Sequence, residues 1–212
     1  MRTAGWLWVV LQSCWIAAHA RKIGGACTGA STKLDAVDCA AWTTFFDATG
    51  GKQWSECSSA RTDPCSCNAV ANANISCGCK HRMFQPPCTP VIEAVRLSGV
   101  GLRGDIAAAW GSLSTMDGLR QLDVSDNQLS GSIPDGPMLN TDMNYLDVSA
   151  NKLSGDIPAK LGDLTDVSYL NMSRNTLSGG VKNIAKMTDV THLDLSSNRF
   201  TGPVPYVTAI PA

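Results

Sequence analysis

Two aspartates occupy matching places in two similar segments of the chain, and carboxylates paired in this way can perform acid–base chemistry. Asp123 and Asp147 are 24 residues apart. On adjacent strands of one sheet they would lie about 5 Å apart, as the carboxylates of retaining glycosidases do. An open strand face, however, lacks the enclosing pocket that such chemistry needs. The sequence also has no Ser/His/Asp or Cys/His set and no phosphate-binding loop. We therefore predict that the protein is not an enzyme and needs no cofactor.

Cysteine is the second residue type with chemical potential. One cysteine, Cys14, lies in the N-terminal apolar run. The other eight all precede residue 89, namely Cys27, Cys39, Cys57, Cys65, Cys67, Cys77, Cys79 and Cys88. An even number in a secreted chain favours disulfides. The alternative is a metal site made by Cys65, Cys67, Cys77 and Cys79, but zinc-binding pairs usually have two to four intervening residues rather than one. We predict disulfides and no metal, with the pairing left open.

The N-terminus and the charge indicate the compartment. Residues 1–20 resemble a secretory signal peptide, with Arg2 before an apolar run and a small-x-small cleavage site at Ala18-His19-Ala20. No later stretch is long and apolar enough to form a transmembrane helix. The formal net charge of −1 gives no reason to expect nucleic-acid binding. We predict a secreted, extracellular or cell-surface protein without a transmembrane segment.

A repeated pattern must position these residues. From Leu119 to Pro205 the sequence has four copies of L-x-x-L-x-L-x-x-N-x-L, with the asparagine at 127, 151, 175 and 198, in steps of 24, 24 and 23 residues. A fixed period in this range is typical of leucine-rich repeats. A degenerate copy at 92–106 has Val100 at the asparagine position. We predict an α/β solenoid with a parallel β-sheet on its concave face. The predicted divisions are a signal peptide at 1–20, a cysteine-rich cap at 21–91, and about five repeats of 23–27 residues at 92–212.

The asparagines of the repeat should be structural. An inward-turned amide can donate to and accept from the backbone of the turn, so that polar groups of each coil are not left unpaired. The predicted ladder comprises Asn127, Asn151, Asn175 and Asn198. Gly131, Gly155, Gly179 and Gly202 should provide the backbone freedom of the next bend.

The outward positions of the predicted strands form three columns. Two follow the repeat pattern and should be structural: Arg96, Asp123, Asp147, Asn171 and Asp194 in one, and Ser98, Ser125, Ser149, Ser173 and Ser196 in the other. The third column varies: Ala94, Gln121, Tyr145, Tyr169 and His192. Tyrosine is common in interface hot spots, so this column is the candidate binding site. The alternative is that the three rings stack on one another and stabilise the sheet.

A helix over residues 31–49 is predicted to close the open end of the solenoid, because a stacked core needs a cap. Thr32 and Asp35 resemble a capping box, and Gly50-Gly51 should end the helix. Its apolar face would contain Leu34, Val37, Ala41 and Phe45. The aromatic residues Trp42, Phe46 and Trp54 should belong to the core of the cap.

Over residues 31–205 the chain resembles plant-type extracellular leucine-rich repeat proteins. The likeness rests on the helix, Trp54, Asp63-Pro-Cys65, and two copies of N-x-L-S-G-x-I-P at 127–134 and 151–158. Receptor-kinase ectodomains and short secreted repeat proteins belong to this group, and protozoan surface antigens have similar repeats. Cys67 stands where the family usually has an aromatic residue, and further cysteines extend to Cys88. The family's cysteine pairing therefore cannot be carried over.

The resemblance implies a receptor-like module that binds a protein or peptide on its concave face. The variable column then predicts that the site comprises Gln121, Tyr145, Tyr169 and His192. The alternatives are an inhibitor of a secreted hydrolase, such as a polygalacturonase, and a structural surface or matrix protein. The open C-terminal edge should be covered by residues 206–211 or by another chain, unless the sequence is a fragment of a longer protein. Sequons predict glycosylation at Asn74, placed in a loop, and at Asn171, placed within a strand.

Overall fold

The computed structural model describes residues 27–67, 73–79, 89–136 and 139–203. The predicted signal peptide, Cys88 and residues 206–211 lie outside the described residues.

The concave face is one six-stranded sheet. It begins with β1 (Ala73–Cys79), which is antiparallel to β2 (Pro90–Leu97). Four parallel strands follow in sequence order: β4 (Gln121–Asp123), β6 (Tyr145–Asp147), β8 (Tyr169–Asn171) and β10 (His192–Asp194). The inward leucines Leu122, Leu146 and Leu170 are fully buried. Since a single three-residue strand cannot bury its apolar side alone, stacking produces the core. The predicted solenoid with a parallel concave sheet is confirmed.

A second, five-stranded parallel sheet was not predicted. It contains β3 (Arg103–Asp105), β5 (Gln128–Ser132), β7 (Lys152–Asp156), β9 (Thr176–Gly180) and β11 (Arg199–Thr201). Leu129, Leu153 and Leu177 point from this sheet into the same core and are fully buried. The alternation of leucine with polar residues in Gln-Leu-Ser and Lys-Leu-Ser was the available signal, since period two is typical of a half-buried strand.

The bend between the two sheets depends on residues other than glycine. The residue before each ladder asparagine has a positive φ, between 51° and 55°, and these residues are Asp126, Ala150, Arg174 and Ser197. Left-handed backbone costs such residues about 1–2 kcal/mol, so the surrounding hydrogen bonds must compensate for it. Gly131 and its equivalents also have positive φ, but they lie within or just after strands of the second sheet.

The backs of the coils are short helices. After β3 comes α2 (Ile106–Leu113), and 3-10 helices at Ala159–Asp163 and Lys182–Lys186 fill the equivalent places in later coils. In the last described coil, Leu193, Leu195 and Phe200 are only partly buried, because no described coil packs on their far side. The prediction that another chain covers this edge stays a prediction.

The helix of the cap, α1 (Ala36–Ala48), starts later than the sequence analysis predicted. A 3-10 helix occupies Gly29–Ser31, and Asp35 is the N-cap, its carboxylate accepting from the Val37 amide at 2.8 Å. The Thr32–Asp35 capping box was therefore wrong, because Asp35 itself caps the helix. Val37 was also placed wrongly: it is 55% exposed, while Trp42, Phe45 and Phe46 are fully buried. Gly50, at φ 72°, follows the last turn as predicted.

Among the described residues, three disulfides hold the cap together: Cys27–Cys39, Cys57–Cys67 and Cys65–Cys77. Cys65 and Cys67 therefore pair with different partners. Within the described part of the chain, no group of three or more His, Cys, Asp or Glu side chains could hold a metal ion. Cys79 ends β1, and nothing is described of its side chain.

Hydrogen bonds join the cap to the first coil. The buried carboxylate of Asp38 accepts from the Ile92 amide of β2 at 2.7 Å. The Thr49 carbonyl after α1 accepts from the Arg103 amide of β3 at 3.0 Å. Val100, which takes the place of the asparagine in this coil, is buried against the cap. The cap thus satisfies backbone groups of both sheets at the N-terminal end.

Candidate binding surface

The parallel register brings the predicted columns together across the concave sheet. Gln121 pairs with Tyr145, Tyr145 with Tyr169, and Tyr169 with His192. Asp123, Asp147, Asn171 and Asp194 form the neighbouring column in the same way. This arrangement follows from the identical spacing of the repeats, because each coil places equivalent residues one strand further along.

The three rings of the variable column form a continuous stack, here called the aromatic row (Tyr145, Tyr169 and His192). Adjacent ring centroids are 4.3 Å apart in both pairs, and the planes are parallel to within 6° and 4°. The two tyrosines are half-buried and His192 is exposed. The stacking foreseen as the alternative is therefore present, and the row still presents polar and aromatic edges to solvent.

Gln121 is not equivalent to the three rings. Its side-chain oxygen accepts a hydrogen bond from the Arg96 guanidinium of β2. Ala94, the first member of the column, is buried. The accessible aromatic part of the predicted site is thus confined to β6, β8 and β10.

The aspartates of the neighbouring column shape the strand ends. Oδ1 of Asp123 accepts from the Ser125 amide and hydroxyl at 3.0 and 2.7 Å. Asp147 makes the same two bonds to Ser149, and Asn171 makes them to Ser173. Ser125, Ser149 and Ser173 are buried by these contacts, and they line the groove on the concave face beside the aspartates.

Asp147 is the buried member of this column. Burial raises the pKa of its carboxyl, the bonds from Ser149 oppose that rise, and the nearby Asp123 carboxylate adds to it. Its second oxygen accepts from the Asn171 amide at 3.2 Å. A carboxylate engaged in this way has few free lone pairs for proton transfer, which argues against paired acid–base chemistry with Asp123.

The carboxylates also affect the aromatic row. Burial raises the pKa of the Tyr145 hydroxyl far above its ordinary value, and the charges of Asp123 and Asp147 contribute. The Tyr169 hydroxyl lies 3.5 Å from Oδ2 of Asp147. The Tyr145 phenol is therefore a neutral hydrogen-bonding group beside negative charge.

The four ladder asparagines all point into the turn rather than to the surface. Nδ2 of Asn151 lies within hydrogen-bonding distance of the carbonyls of Val124, Val148 and Ser149, at 2.9 to 3.2 Å. Its Oδ1 accepts from the Leu129 amide of the preceding coil at 2.9 Å. Asn127, Asn175 and Asn198 repeat this set of contacts. One side chain therefore links two successive coils.

A polar groove along the carboxyl-terminal edge of the concave sheet was missed by the sequence analysis. It is lined by strand-end residues of successive coils, including Asp126, Asp147, Arg174, Asp194 and Ser197. The sequence did contain a signal for this groove. The residue before each ladder asparagine varies from repeat to repeat, and the bend turns this residue toward solvent.

The two sequons share one column. Asn74 lies in strand β1, not in a loop as predicted, and is paired with Arg96. Asn171 lies in β8 of the same sheet. Directly paired residues project from the same side of a sheet, so a glycan on either asparagine would occupy the concave face. Whether either is modified stays a prediction.

Comparison with known proteins agrees with this architecture. A family model described as Leucine Rich Repeat matches residues 118–138 and 189–208. The ectodomain of the receptor kinase SOBIR1 from Arabidopsis thaliana is similar with a TM-score of 0.65 and 22% identity, over 81% of this chain and 85% of that one. A chain of the BIR3–SERK2 complex from Arabidopsis thaliana has a TM-score of 0.61 and 26% identity, over 82% and 87%.

A third similar structure is much longer. The ectodomain of the membrane receptor kinase GASSHO1/SCHENGEN3 from Arabidopsis thaliana, in complex with Casparian strip integrity factor 2, has a TM-score of 0.55 and 29% identity over 69% of this chain. This chain spans 16% of that ectodomain. No curated protein sequence matches the chain.

Stacked coils that form two sheets of mainly parallel strands, with an asparagine ladder at the bend between them, define a leucine-rich repeat solenoid with a disulfide-bonded N-terminal cap. The matching family model and the similar ectodomains agree with this fold, and they make the chain similar to plant-type extracellular leucine-rich repeat proteins. None of the helices described here has the length and apolar character needed to cross a membrane.

Proposed function

We propose that this chain is an extracellular module that recognises a protein or peptide with its concave sheet. The binding site comprises Tyr145, Tyr169 and His192, with Gln121 at its N-terminal end. The observation that carries this proposal is the aromatic row, in which three rings stand in register on an otherwise Ser-, Asp- and Asn-rich strand face. Tyrosine contributes apolar area and a hydroxyl at low entropic cost.

The shape of the surface supports a macromolecular ligand. The row crosses three strands about 4.8 Å apart, so it offers an extended line of contact rather than an enclosed cavity. The adjoining groove is open and polar. An extended peptide or a protein edge fits such a surface better than a small molecule, which normally needs a cavity that buries most of its area.

The similar ectodomains support the same proposal by analogy. GASSHO1/SCHENGEN3 is in complex with Casparian strip integrity factor 2, and BIR3 and SERK2 form a complex with each other. The disulfide-rich cap fits an oxidising compartment, because disulfides persist mainly outside the cytosol. We place the protein in the secretory route on these grounds, either secreted or at the cell surface.

The test is capture from the extracellular fraction with three immobilised proteins. The first is the mature protein, the second carries Tyr145→Ala with Tyr169→Ala, and the third carries Ser130→Ala with Ser154→Ala. The serine pair is exposed in the second sheet and serves as the matched control. We expect one set of partners retained by the wild type and the control but lost from the tyrosine variant. Equal recovery from all three would overturn the proposed site, provided that far-UV circular dichroism shows all three folded.

A further inference from the structure

The aspartate column of the concave sheet consists of Asp123, Asp147, Asn171 and Asp194. The fold needs a side-chain oxygen at these positions, but it does not need a negative charge there. Asn171 forms its strand-end turn with Ser173 at 3.1 and 2.8 Å, through an amide oxygen. Asp123 and Asp147 form the equivalent turns with carboxylate oxygens at 2.6 to 3.0 Å. The charges of the aspartates are therefore surplus to the turn geometry and are available to act on a ligand.

These charges are not neutralised by neighbouring cations. Among the described residues, the ion pairs are Arg61–Asp47 in the cap and Lys186–Asp163 on the back of the coils. The groove beside the aromatic row has three carboxylates, from Asp126, Asp147 and Asp194, and one cation, Arg174. Arg96, on β2, is occupied with Gln121. Clustered like charges on one face favour a ligand of opposite charge.

The aromatic row adds a second interaction that favours cations. Arginine and lysine side chains are attracted to the faces of aromatic rings within about 6 Å of the centroid. Tyr169 is covered on both faces by its neighbours, but Tyr145 and His192 each have a described ring neighbour on one side only. The phenol oxygens of Tyr145 and Tyr169 provide acceptors along the same line. A flat guanidinium can stack on the end of the row while donating to the flanking carboxylates.

We propose that the ligand segment bound by the concave face is a basic peptide, whose Arg or Lys side chains lie against the aromatic row and pair with Asp123 and Asp194. This inference rests on the proposed function, since it specifies the chemistry of the ligand for the same site. The positive charge is required near β4, one strand beyond the Tyr145 end of the row, and near β10, at its His192 end.

The test begins with selection of peptides. A random decapeptide library is panned against the immobilised full-length secreted protein, and binders are compared with the input. We expect Arg and Lys to be enriched and Asp and Glu to be depleted. A selected peptide is then titrated against Asp123→Asn with Asp194→Asn. This variant keeps an oxygen for each turn, as Asn171 does naturally, and removes two charges.

The expected loss of affinity is roughly 2- to 10-fold, since exposed ion pairs are individually weak. The matched control is Asp135→Asn with Asp156→Asn, which removes two charges from exposed positions in and beside the second sheet. It should bind within about twofold of the wild type. If the double variant does not fold, binding to the wild type is measured between about 50 and about 500 mM salt, where affinity must fall.

The outcomes separate this inference from the proposed function. Selected peptides that are neutral or acidic, yet depend on Tyr145 and Tyr169, would overturn the basic ligand and leave the binding surface in place. Basic peptides that bind the charge-removing variant as tightly as the wild type would also overturn it. Peptides that bind without needing either tyrosine would overturn both the inference and the proposed function.

Discussion

The cap and the repeats of this protein achieve stability by different means. The described part of the cap contains three disulfides, and its aromatic core of Trp42, Phe45, Phe46 and Trp54 occurs once. The repeats have no cysteine after residue 88 and instead copy one hydrogen-bonding solution from coil to coil. A repeat gains stability by stacking on a neighbouring repeat of the same shape, and the non-repetitive cap cannot do so to the same extent. Disulfides stabilise the cap instead, because they reduce the conformational entropy of its unfolded chain.

The largest expected effect comes from removing a disulfide of the cap. Cys65→Ser with Cys77→Ser releases β1 from the 3-10 helix at Pro64–Ser66, and we expect the free energy of unfolding to fall by roughly 2–4 kcal/mol. Urea denaturation measures this change. Hydrogen exchange should show lost protection in the cap before the C-terminal coils. An unchanged urea midpoint would mean that the Cys65–Cys77 disulfide does not stabilise the cap.

Next in size is the loss of one ladder asparagine. Asn151→Ala removes the acceptor of the Leu129 amide and the donor to carbonyls of two coils, so we expect about 1–3 kcal/mol of destabilisation. Asn198 makes the equivalent bonds but is only partly buried, at the edge of the described coils. Asn198→Ala should therefore cost less. Equal losses of unfolding free energy for the two variants would show that burial does not strengthen the hydrogen bonds of the ladder.

A smaller effect is expected from the aromatic row. Tyr145→Ala removes one ring stack and should destabilise the protein by about 0.5–1.5 kcal/mol. Gln121→Ala, one strand away in the same column, is the matched control without a ring. Thermal melting measures both. A melting temperature for the tyrosine variant equal to that of the glutamine variant would assign the row to binding alone.

The smallest expected effect is on the pH dependence of stability. One aspartate of the cap and one of the repeats have pKa values shifted in opposite directions. The hydrogen bond from Arg61 lowers the pKa of Asp47, while burial raises the pKa of Asp147. Asp47 therefore contributes stability above its ordinary pKa of 3.8 that is lost as pH falls below it. Asp147 does the opposite: its contribution is lost as pH rises through its raised pKa. Carboxyl-carbon NMR should find Asp147 titrating at the higher pH, and the reverse order would contradict both assignments.

The regular features of this molecule could be predicted from the sequence. The asparagine spacing predicted the stacking of the coils, and the alternation in Leu122 and Val124 predicted the concave strands. Once the strands stack in register, the columns follow without further information, since equivalent residues must lie one strand apart. For the same reason the sequence predicted that Tyr145, Tyr169 and His192 lie side by side on successive strands.

The features that were missed depend on contacts between distant residues. Asp35, rather than Thr32, caps α1 because the preceding residues form a 3-10 helix, whose Ser31 is bound by the carboxylate of Asp63. Asn74 belongs to a strand because β1 pairs with β2 in antiparallel orientation, and no local sequence pattern predicts that pairing. The burial of Ser125, Ser149 and Ser173 likewise depends on bonds made at the strand ends.

What the sequence alone determined is thus the periodic part of the protein, because a repeat constrains each coil by its neighbours and a local pattern is read several times. Only the tertiary structure decided which cysteines pair, where the second sheet forms, and that the rings of Tyr145, Tyr169 and His192 lie parallel and in contact. Those outcomes depend on side-chain packing at positions that occur once, or on the distance between coils, and neither is encoded in residue spacing.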